Sequence, residues 1–333
     1  MSTTLDPDIQ AALSAIAGKS FNHIFLVACG GSLSIMHPGK YFLDRHAETL
    51  RSDVHNGDEF VHRDPKALGS NALVILCSQT GTTKETVRAA KHARSRGATT
   101  IGMTLDPRSA LAEAVDIVVS YEAFYTTGVP IDSARGNYAV LYKLLAGILR
   151  DKEGTDIVPS LLASLANLQP AIARAVVQYE PQFEAYAERF SQKSAVYTLA
   201  SGADYGAAYS FAICVLMEMQ WMDSQAIHAN EFFHGPFEVV DKDAAFIVLM
   251  GLDETRPLEE RARDFLLKHG SAENIFVLDG KSLDMSGIDP QFQGYFVPLV
   301  FFDTLWKFAY LLAAKREHTM LEARRYMKKI SDY

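Results

Sequence analysis

The chain has few cysteines and lacks the common metal-binding spacings. Its three cysteines, Cys29, Cys77 and Cys214, lie in apolar surroundings and form no CxxC pair. This excludes a disulfide scaffold or a zinc ribbon and predicts small core residues of a reduced, intracellular protein. No HxH or HExxH pattern occurs either. The sequence therefore predicts neither a metal ion nor another cofactor.

Positive charge is also scarce. The 333 residues contain 32 Lys and Arg against 40 Asp and Glu, which gives a net charge of −8. This balance argues against binding to nucleic acid or to an anionic membrane through bulk charge. The first residues lack the basic start and apolar run of a signal peptide, and polar residues interrupt the long apolar stretches. We therefore expect a soluble, cytoplasmic protein without a membrane-spanning segment.

The chain does contain a regular alternation of apolar strands and helical segments. The run HIFLVA at 23–28 is typical of a strand buried on both faces of a parallel sheet, and a Gly-Gly turn and a helix follow it. The run AVYTLA at 195–200 repeats this order. A largely helical stretch is predicted at 137–190, and further strands at 51–55, 72–76, 99–104, 116–121, 245–250, 274–278 and 296–301. The pattern predicts an α/β protein with two duplicated, doubly wound, mainly parallel sheets, each covered by helices on both faces.

The segment SQTGTT at 78–83 follows a predicted strand and precedes a helix. Free backbone N–H groups and the positive end of the helix dipole meet at such a position, which favours an anion. Ser78, Thr80 and Thr83 add hydroxyl donors, Gln79 adds an amide, and Gly81 allows close approach of the backbone. The segment has no Lys of the P-loop kind, so a sugar phosphate suits it better than a nucleoside triphosphate. The alternative is a plain Ser/Thr helix cap.

Gly31 and Ser32 follow the neighbouring predicted strand. The carboxyl ends of parallel strands form the ligand crevice of an open α/β sheet, so Ser32 and the nearby Ser34 are candidates to complete the same site. The alternative for them is a turn with a helix cap.

A single carboxylate interrupts the apolar helix predicted at Tyr205–Met222. Glu218 has no neutralising partner among its neighbours on that helix, and a buried Glu of this kind has a raised pKa that suits proton transfer near neutral pH. His234 follows in the segment EFFHGP, where Gly-Pro ends any regular element and leaves the imidazole on a loop. The alternatives are a structural Glu218 that pairs with Arg324 or Arg325, and a satisfied loop histidine.

Together these segments resemble the sugar isomerase (SIS) family, and the likeness covers nearly the whole chain. It lies in the stretches VACGGS at 27–32, SQTGTTKET at 78–86, ASGADYGAAYS at 200–210, MEMQW at 217–221, EFFHGPFE at 231–238 and RRYM at 324–327. The resemblance implies two tandem SIS domains at 1–150 and 191–333, with a helical connection at 151–190 and a C-terminal tail. Within the family, the chain is most similar to fructosamine-6-phosphate deglycases, in particular those specific for 6-phosphofructose-aspartate.

The resemblance also implies roles for individual residues. Glu218 corresponds to the acid/base that moves a proton between C1 and C2 of the sugar, and His234 to a group that acts in ring opening and proton relay. The crevice in this family lies at a dimer interface, so a homodimer is expected, with Glu218 and His234 from the same or from different subunits. The residues expected to bind the phosphosugar are Gly31, Ser32, Ser78, Gln79, Thr80 and Thr83.

The reaction expected from this resemblance is cleavage of a 6-phosphorylated fructosamine-type (Amadori) amino acid to glucose 6-phosphate and the free amino acid. Among enzymes, the alternatives are an aldose–ketose phosphosugar isomerase and a glucosamine-6-phosphate deaminase-isomerase. From another class, the alternative is a non-catalytic, phosphosugar-sensing regulator.

Overall fold

The structure, a computed structural model, describes residues 4–123 and 131–330. The chain divides into two compact units. The first unit comprises Met1–Gln169 with Gly287–Asp289, and the second comprises Pro170–Ser286 with Pro290–Tyr333. Each unit contains one parallel sheet.

The first unit is built on a five-stranded parallel sheet in the order β2-β1-β3-β4-β5. Its strands are β1 His23–Ala28, β2 Arg51–Asn56, β3 Ala72–Cys77, β4 Thr99–Thr104 and β5 Ile117–Ser120. β1 and β3 are apolar and almost completely buried, as expected for central strands covered on both faces. Ala28 pairs with both Asn56 and Cys77, so the carboxyl ends of three neighbouring strands lie at one edge of the sheet.

Helices cover this sheet, and several begin directly after a strand. They are α1 Pro7–Ile16, α2 Gly30–Ser34, α3 Met36–His46, α4 Gly57–Arg63, α5 Lys84–Ser95, α6 Ala110–Ala114, α7 Asn137–Glu153 and α8 Val158–Leu165. α5 packs three alanines, Ala89, Ala90 and Ala93, into the core beside Val74 and Leu76 of β3. Small side chains on this face allow the helix to lie close to the sheet.

The second unit has a four-stranded parallel sheet in the order β7-β6-β8-β9. Its strands are β6 Ala195–Ala200, β7 Asp223–His228, β8 Ala245–Met250 and β9 Ile275–Asp279. Its helices are α9 Leu168–Ser191, α10 Tyr205–Ser210, a π-helix Phe211–Met217, α11 Arg256–His269 and α12 Pro290–Lys315. The first residues of α9 belong to the first unit, because the division falls after Gln169.

The two sheets share one topology, which confirms the predicted fold class. In each sheet the first strand lies between the second and the third, and the fourth follows the third. The resemblance extends to the backbone after the first strand, where Gly30 and Gly202 adopt φ values of +55° and +51°. The duplication inferred from the sequence is therefore present in the order of the strands and in the turn that follows the first strand.

Two secondary-structure predictions were wrong. The strand predicted at 296–301 is part of the 26-residue helix α12, which is buried on most of its surface. A short apolar run has the same appearance in a buried strand and in a buried helix, and Pro298 did not prevent the helix. β7 was not predicted, because its sequence DSQAIH is polar and lies at a sheet edge, where Ile227 is the one fully buried residue of the strand.

α12 is also long and apolar enough to span a membrane, contrary to the expectation that no stretch reaches that length. The most apolar window of this helix is 72% buried inside the protein. That degree of burial is typical of a core helix of a globular domain, which meets the same criteria of length and composition.

Candidate functional site

The segment 78–83 forms a tight loop between β3 and α5 in the first unit. Ser78 donates a side-chain hydrogen bond to Thr83 across the loop, with 2.9 Å between the two hydroxyl oxygens. The Gly81 N–H donates to the Ser78 carbonyl oxygen at 3.0 Å. The loop therefore brings the predicted hydroxyl donors together at the amino-terminal end of α5, where the first-turn N–H groups lack intrahelical partners.

The hydroxyls of this loop do not act as a simple helix cap. Thr83 occupies the N-cap position of α5, but its side chain makes no capping hydrogen bond within the described chain. The Thr80 and Thr82 hydroxyls lie 2.7 Å apart on the exposed side of the loop. Hydroxyl groups beyond what a cap needs are thus concentrated at the positive end of a helix, which is the arrangement that favours a phosphate.

Gly81 fixes the shape of the loop. Its φ is +65°, and a Cβ atom there would lie 2.0 Å from the Ser109 Oγ. The Gly81 carbonyl also accepts a hydrogen bond from the Leu111 N–H at 2.9 Å, and the Gln79 carbonyl accepts one from the Leu105 N–H at 2.9 Å. Backbone hydrogen bonds from Leu105 and Leu111 therefore fix the position of the loop.

The turn after β1 lies beside this loop. Ser32 is half-buried and hydrogen-bonds to the Cys77 thiol at the end of β3, while Gly31 is exposed. Burial raises the pKa of Cys77 to about 11, and burial also raises the pKa of Cys29. These two cysteines are therefore protonated near neutral pH and unsuited to act as thiolate nucleophiles.

The matching turns of the second unit are occupied by the protein's own carboxylates. Asp253 accepts a hydrogen bond from the Ala203 N–H at 2.9 Å. Glu259 accepts hydrogen bonds from the N–H groups of Ser201 and Gly251 at 2.9 and 2.7 Å. A phosphate would meet like charges at this position. The corresponding segment of the first unit, 78–83, contains no acidic residue.

Glu218 lies immediately after the π-helix Phe211–Met217. The wider turn is visible in the hydrogen bonds from the Glu218 N–H to the Ile213 carbonyl and from the Gln220 N–H to the Val215 carbonyl, both at 3.0 Å. π-turns are rare in helices overall. Those that do occur are often found at functional sites, because the extra residue changes the direction of nearby side chains. The sequence predicted a continuous helix here.

The Glu218 carboxylate is partly buried and has one charged partner. Arg324 donates to Glu218 with 3.2 Å between Nη1 and Oε1, and each side chain is 21% exposed. Burial raises the pKa of Glu218, while Arg324 and the more distant charge of Lys328 oppose that rise. The pairing with Arg324 named above as an alternative is therefore present. Despite this ion pair, the pKa of Glu218 remains raised, as suits an acid/base group.

The tail segment Leu321–Ile330 makes a second contact beside Glu218. The Arg325 guanidinium lies 3.5 Å from the centre of the Trp221 ring, and the His318 ring meets the same indole edge-on at 4.5 Å. Trp221 has a φ of +52°, a conformation that costs free energy for a bulky residue and is retained only where neighbours enforce it. Arg324 and Arg325 thus attach the tail segment to the end of the helix that bears Glu218.

His234 lies on an exposed loop, as predicted. It follows a short 3₁₀ turn, Glu231–Phe233, and its N–H donates to the Glu231 carbonyl at 2.9 Å. Phe232 anchors this turn in the core, and the Arg261 guanidinium lies 3.8 Å from the centre of the Phe233 ring. Within the described residues, no hydrogen bond or ion pair joins His234 to Glu218.

Comparisons with known proteins show which family the chain is similar to. The chain is 45% identical to the fructosamine deglycase FrlB of Bacillus subtilis (strain 168), over 97% of its own length and 96% of that protein's length. The SIS domain model matches residues 19–146. The chain belongs to the SIS family. Within this family it groups with the fructosamine deglycases.

Two further comparisons support the assignment to the SIS family. The fructoselysine 6-phosphate deglycase of Escherichia coli (strain K12) is 27% identical over 96% of this chain and 90% of that protein. A Bacillus subtilis protein described as a phosphosugar isomerase has a crystal structure that superposes with a TM-score of 0.94, at 44% identity and with 98% of both chains covered. The similarity therefore extends over both units of this SIS protein.

No group of three or more His, Cys, Asp or Glu side chains that could bind a metal ion occurs among residues 4–123 and 131–330. The predicted phosphosugar residues of this SIS protein belong to the first unit, and Glu218, His234 and the tail segment belong to the second. Single-sequence reasoning recognised the carboxylate but could not choose its partner, because Arg324 lies 106 residues further along the chain.

Proposed function

We propose that the protein is a deglycase that converts 6-phosphorylated fructosamine-type amino acids to glucose 6-phosphate and free amino acid. The observation that supports this most directly is Glu218, a partly buried carboxylate with a raised pKa at the end of a π-helix. The similarity to a fructosamine deglycase and to a fructoselysine 6-phosphate deglycase supports the same class of reaction. Among possible substrates we propose 6-phosphofructose-aspartate.

In such a conjugate the amino-acid nitrogen is bonded to C1, next to the ketone at C2. The Glu218 carboxylate removes a proton from C1 while the C2 oxygen takes up a proton from solvent, which produces an enaminol. The protonated Glu218 then returns a proton to C2, and loss of the N–H proton to solvent gives a Schiff base between C1 and the nitrogen. One water molecule adds to the C=N bond and the amine leaves, so the reaction consumes one water and needs no oxidant or reductant. Glu218 returns to its starting protonation state.

The other predicted residues bind and prepare the substrate in this proposal. The hydroxyls and N–H groups of the loop 78–83, together with Gly31 and Ser32, bind the C6 phosphate. His234 transfers the proton between the anomeric hydroxyl and the ring oxygen, which opens the sugar ring. The phosphate contacts anchor the substrate, so that positioning contributes to the rate of the proton transfer.

The direct test is a substrate panel. The protein is incubated with 6-phosphofructose conjugates of Asp, Lys and Gln, and with fructose 6-phosphate and glucosamine 6-phosphate. Glucose 6-phosphate and the free amine are then measured together. We expect equal amounts of both products from the aspartate conjugate, at a higher kcat/KM than from the other conjugates. Conversion of fructose 6-phosphate alone would instead support a simple isomerase, and ammonia release from glucosamine 6-phosphate would support a deaminase-isomerase.

A non-catalytic, phosphosugar-sensing regulator is the alternative from another class. Such a protein would show a phosphosugar-dependent rise in melting temperature and no product from any compound of the panel. Partial burial of Glu218 disfavours this alternative, because a protein that only binds gains nothing from the cost of desolvating a carboxylate.

We further propose that the active form is a cytoplasmic homodimer in which Glu218 and His234 of one site come from different subunits. The test mixes the inactive variants Glu218→Gln and His234→Ala after dissociation and reassociation. Each mixed dimer would then contain one intact site, and random mixing would restore about a quarter of the wild-type activity. If both residues come from one subunit, the mixture stays inactive.

A further inference from the structure

The ion pair of Glu218 is made by a residue of the tail segment whose guanidinium is only partly engaged. Arg324 donates through Nε to the Leu321 carbonyl at 2.9 Å and through Nη1 to Glu218 at 3.2 Å. No other described residue accepts a hydrogen bond from this guanidinium. An arginine has five N–H donors, so the edge formed by Nη1 and Nη2 retains donors in the fork geometry that matches a carboxylate.

The chemistry of the proposed substrate places a carboxylate close to Glu218. Glu218 must contact C1 to remove its proton. In a conjugate joined through the α-nitrogen, the α-carboxylate carbon is three bonds from C1, which limits the distance between the two carbons to about 4 Å. A cation that recognises this carboxylate must therefore lie beside the catalytic carboxylate. Among residues 4–123 and 131–330, Arg324 is the cation that forms an ion pair with Glu218.

We propose that Arg324 binds the α-carboxylate of the amino-acid part of the substrate and gives up its contact with Glu218 as it does so. This inference rests on the proposed deglycase function and extends it to the selection of the amino acid. Exchange of one carboxylate for another keeps the guanidinium paired throughout, so the positive charge of Arg324 is not left alone. The exchange also frees the Glu218 oxygen that must reach the C1 proton.

The charge of the tail segment supports an acidic amino acid. Arg324, Arg325, Lys328 and Lys329 lie within six residues of one another in a chain whose net charge is −8. Lys328 is close enough to act electrostatically on Glu218. An aspartate conjugate brings two carboxylates to this cationic segment. A conjugate through the ε-nitrogen of lysine carries its carboxylate seven bonds from C1, so the sugar does not hold this carboxylate close to Arg324.

The test compares two substrates that differ only in the α-carboxylate, namely the 6-phosphofructose conjugates of aspartate and of β-alanine. Wild type, Arg324→Gln and Arg324→Lys are assayed on both, with Arg325→Gln as the matched control on the same segment. We expect Arg324→Gln to lower kcat/KM for the aspartate conjugate by about 30-fold or more and for the β-alanine conjugate by less than about 3-fold. Arg324→Lys should retain part of the preference, because it keeps the charge and loses the fork.

An equal loss on both substrates would overturn the proposal, because it would mean that Arg324 only positions Glu218. An equal loss on both substrates in Arg325→Gln as well, with a lowered melting temperature, would assign both arginines to attachment of the tail. If wild type releases glucose 6-phosphate from neither conjugate, the proposed aspartate specificity is wrong and the role of Arg324 falls with it. If wild type also releases none from the Lys and Gln conjugates, the deglycase function itself is wrong. If wild type is active and Arg324→Gln loses equal activity on both substrates, the role of Arg324 is refuted and the deglycase function is not.

Discussion

Two opposing effects act on the protonation of Glu218, and they come from different parts of the chain. Removal of the carboxylate from water raises its pKa, and the positive charges of Arg324 and Lys328 lower it. Burial is the larger effect, so the pKa stays above the ordinary value of 4.5. The side chain can thus accept a proton from carbon more readily than an ordinary glutamate and can still return it.

This balance predicts a pH profile. Glu218 must be ionised to remove the C1 proton, so kcat/KM should fall as the pH drops through the pKa of Glu218 in the free enzyme, above the range of an ordinary glutamate. Arg324→Gln removes the strongest effect that opposes burial, and we expect the acidic limb of the profile to move to higher pH. The measurement is kcat/KM for the β-alanine conjugate across the pH range. Arg325→Gln serves as the control, and an unchanged limb in Arg324→Gln would contradict the account.

At the residue scale, the sequence was sufficient to find the carboxylate and insufficient to describe its surroundings. A lone Glu in an apolar run is visible because desolvated charge is rare without a reason. The partner Arg324 is distant in sequence, and the π-turn before Glu218 has no signature in the seven apolar residues FAICVLM. Neither the ion pair nor the π-turn can be predicted from neighbouring residues in the sequence, since both depend on how the tail segment and the helix pack.

At the element scale, strand, turn and helix together place the hydroxyl groups of the proposed phosphate site in the loop between β3 and α5. The predicted order of strand, loop and helix was right because a buried strand, a Gly turn and an amphipathic helix each have a clear sequence pattern. The errors at β7 and α12 fall where the pattern is ambiguous, in a polar edge strand and in an apolar run that helix and strand share. Both errors lie in the second unit, so they do not affect the predicted strand ends of the first sheet.

The loop yields a prediction for Ser78. Ser78→Ala removes one hydroxyl donor and the bridge to Thr83, so we expect KM for the phosphorylated conjugate to rise about 10-fold while kcat changes by less than about 2-fold. Ser95→Ala, at the other end of α5, is the matched control and should change neither constant. Steady-state kinetics with both variants provide the measurement. A large fall in kcat with unchanged KM would argue against a phosphate-binding role.

At the scale of the whole molecule, the two units share one strand order but have different side chains in the segments that follow corresponding strands. The first unit has hydroxyl groups after its strands, and the second has a buried acidic pair, Asp204 and Glu259. Glu259 accepts three hydrogen bonds, from the N–H and hydroxyl of Ser201 and the N–H of Gly251. Neither oxygen of Asp204 has a partner among the described residues. Glu259 is therefore the better site for a negative charge, and Asp204 for the proton.

This pair predicts that the second unit loses stability as the pH rises. Burial and the Glu259 charge raise the pKa of Asp204 well above 3.8 in the folded protein, and burial raises that of Glu259 to about 7. A group whose folded-state pKa is raised contributes stability below its unfolded pKa and loses that contribution as the pH rises through the folded value. Relative to wild type, Asp204→Asn should therefore gain free energy of unfolding as the pH rises above the range of an ordinary aspartate, by up to about 1.4 kcal/mol per pH unit for as long as Asp204 retains its proton.

Urea unfolding followed by tryptophan fluorescence measures this difference. Both tryptophans of the chain, Trp221 and Trp306, belong to the second unit, so the signal reports on that unit alone. Asp243→Asn, at an exposed position of the same unit, is the matched control and should show no pH-dependent difference from wild type. A constant difference between Asp204→Asn and wild type at all pH values would show that Asp204 does not retain its proton.

The central claim is that Glu218 transfers the proton between C1 and C2, and one experiment in D₂O tests it most directly. Wild type, Glu218→Gln and the exposed control Glu180→Gln are incubated with the 6-phosphofructose conjugate of aspartate and followed by NMR. Wild type and the control should produce glucose 6-phosphate that carries deuterium at C2, because the partly exposed carboxylate exchanges its proton with solvent. Glu218→Gln should form product at least about 10³-fold more slowly and should not exchange the C1 hydrogens. Exchange at C1 or product formation by Glu218→Gln at the wild-type rate would contradict the account.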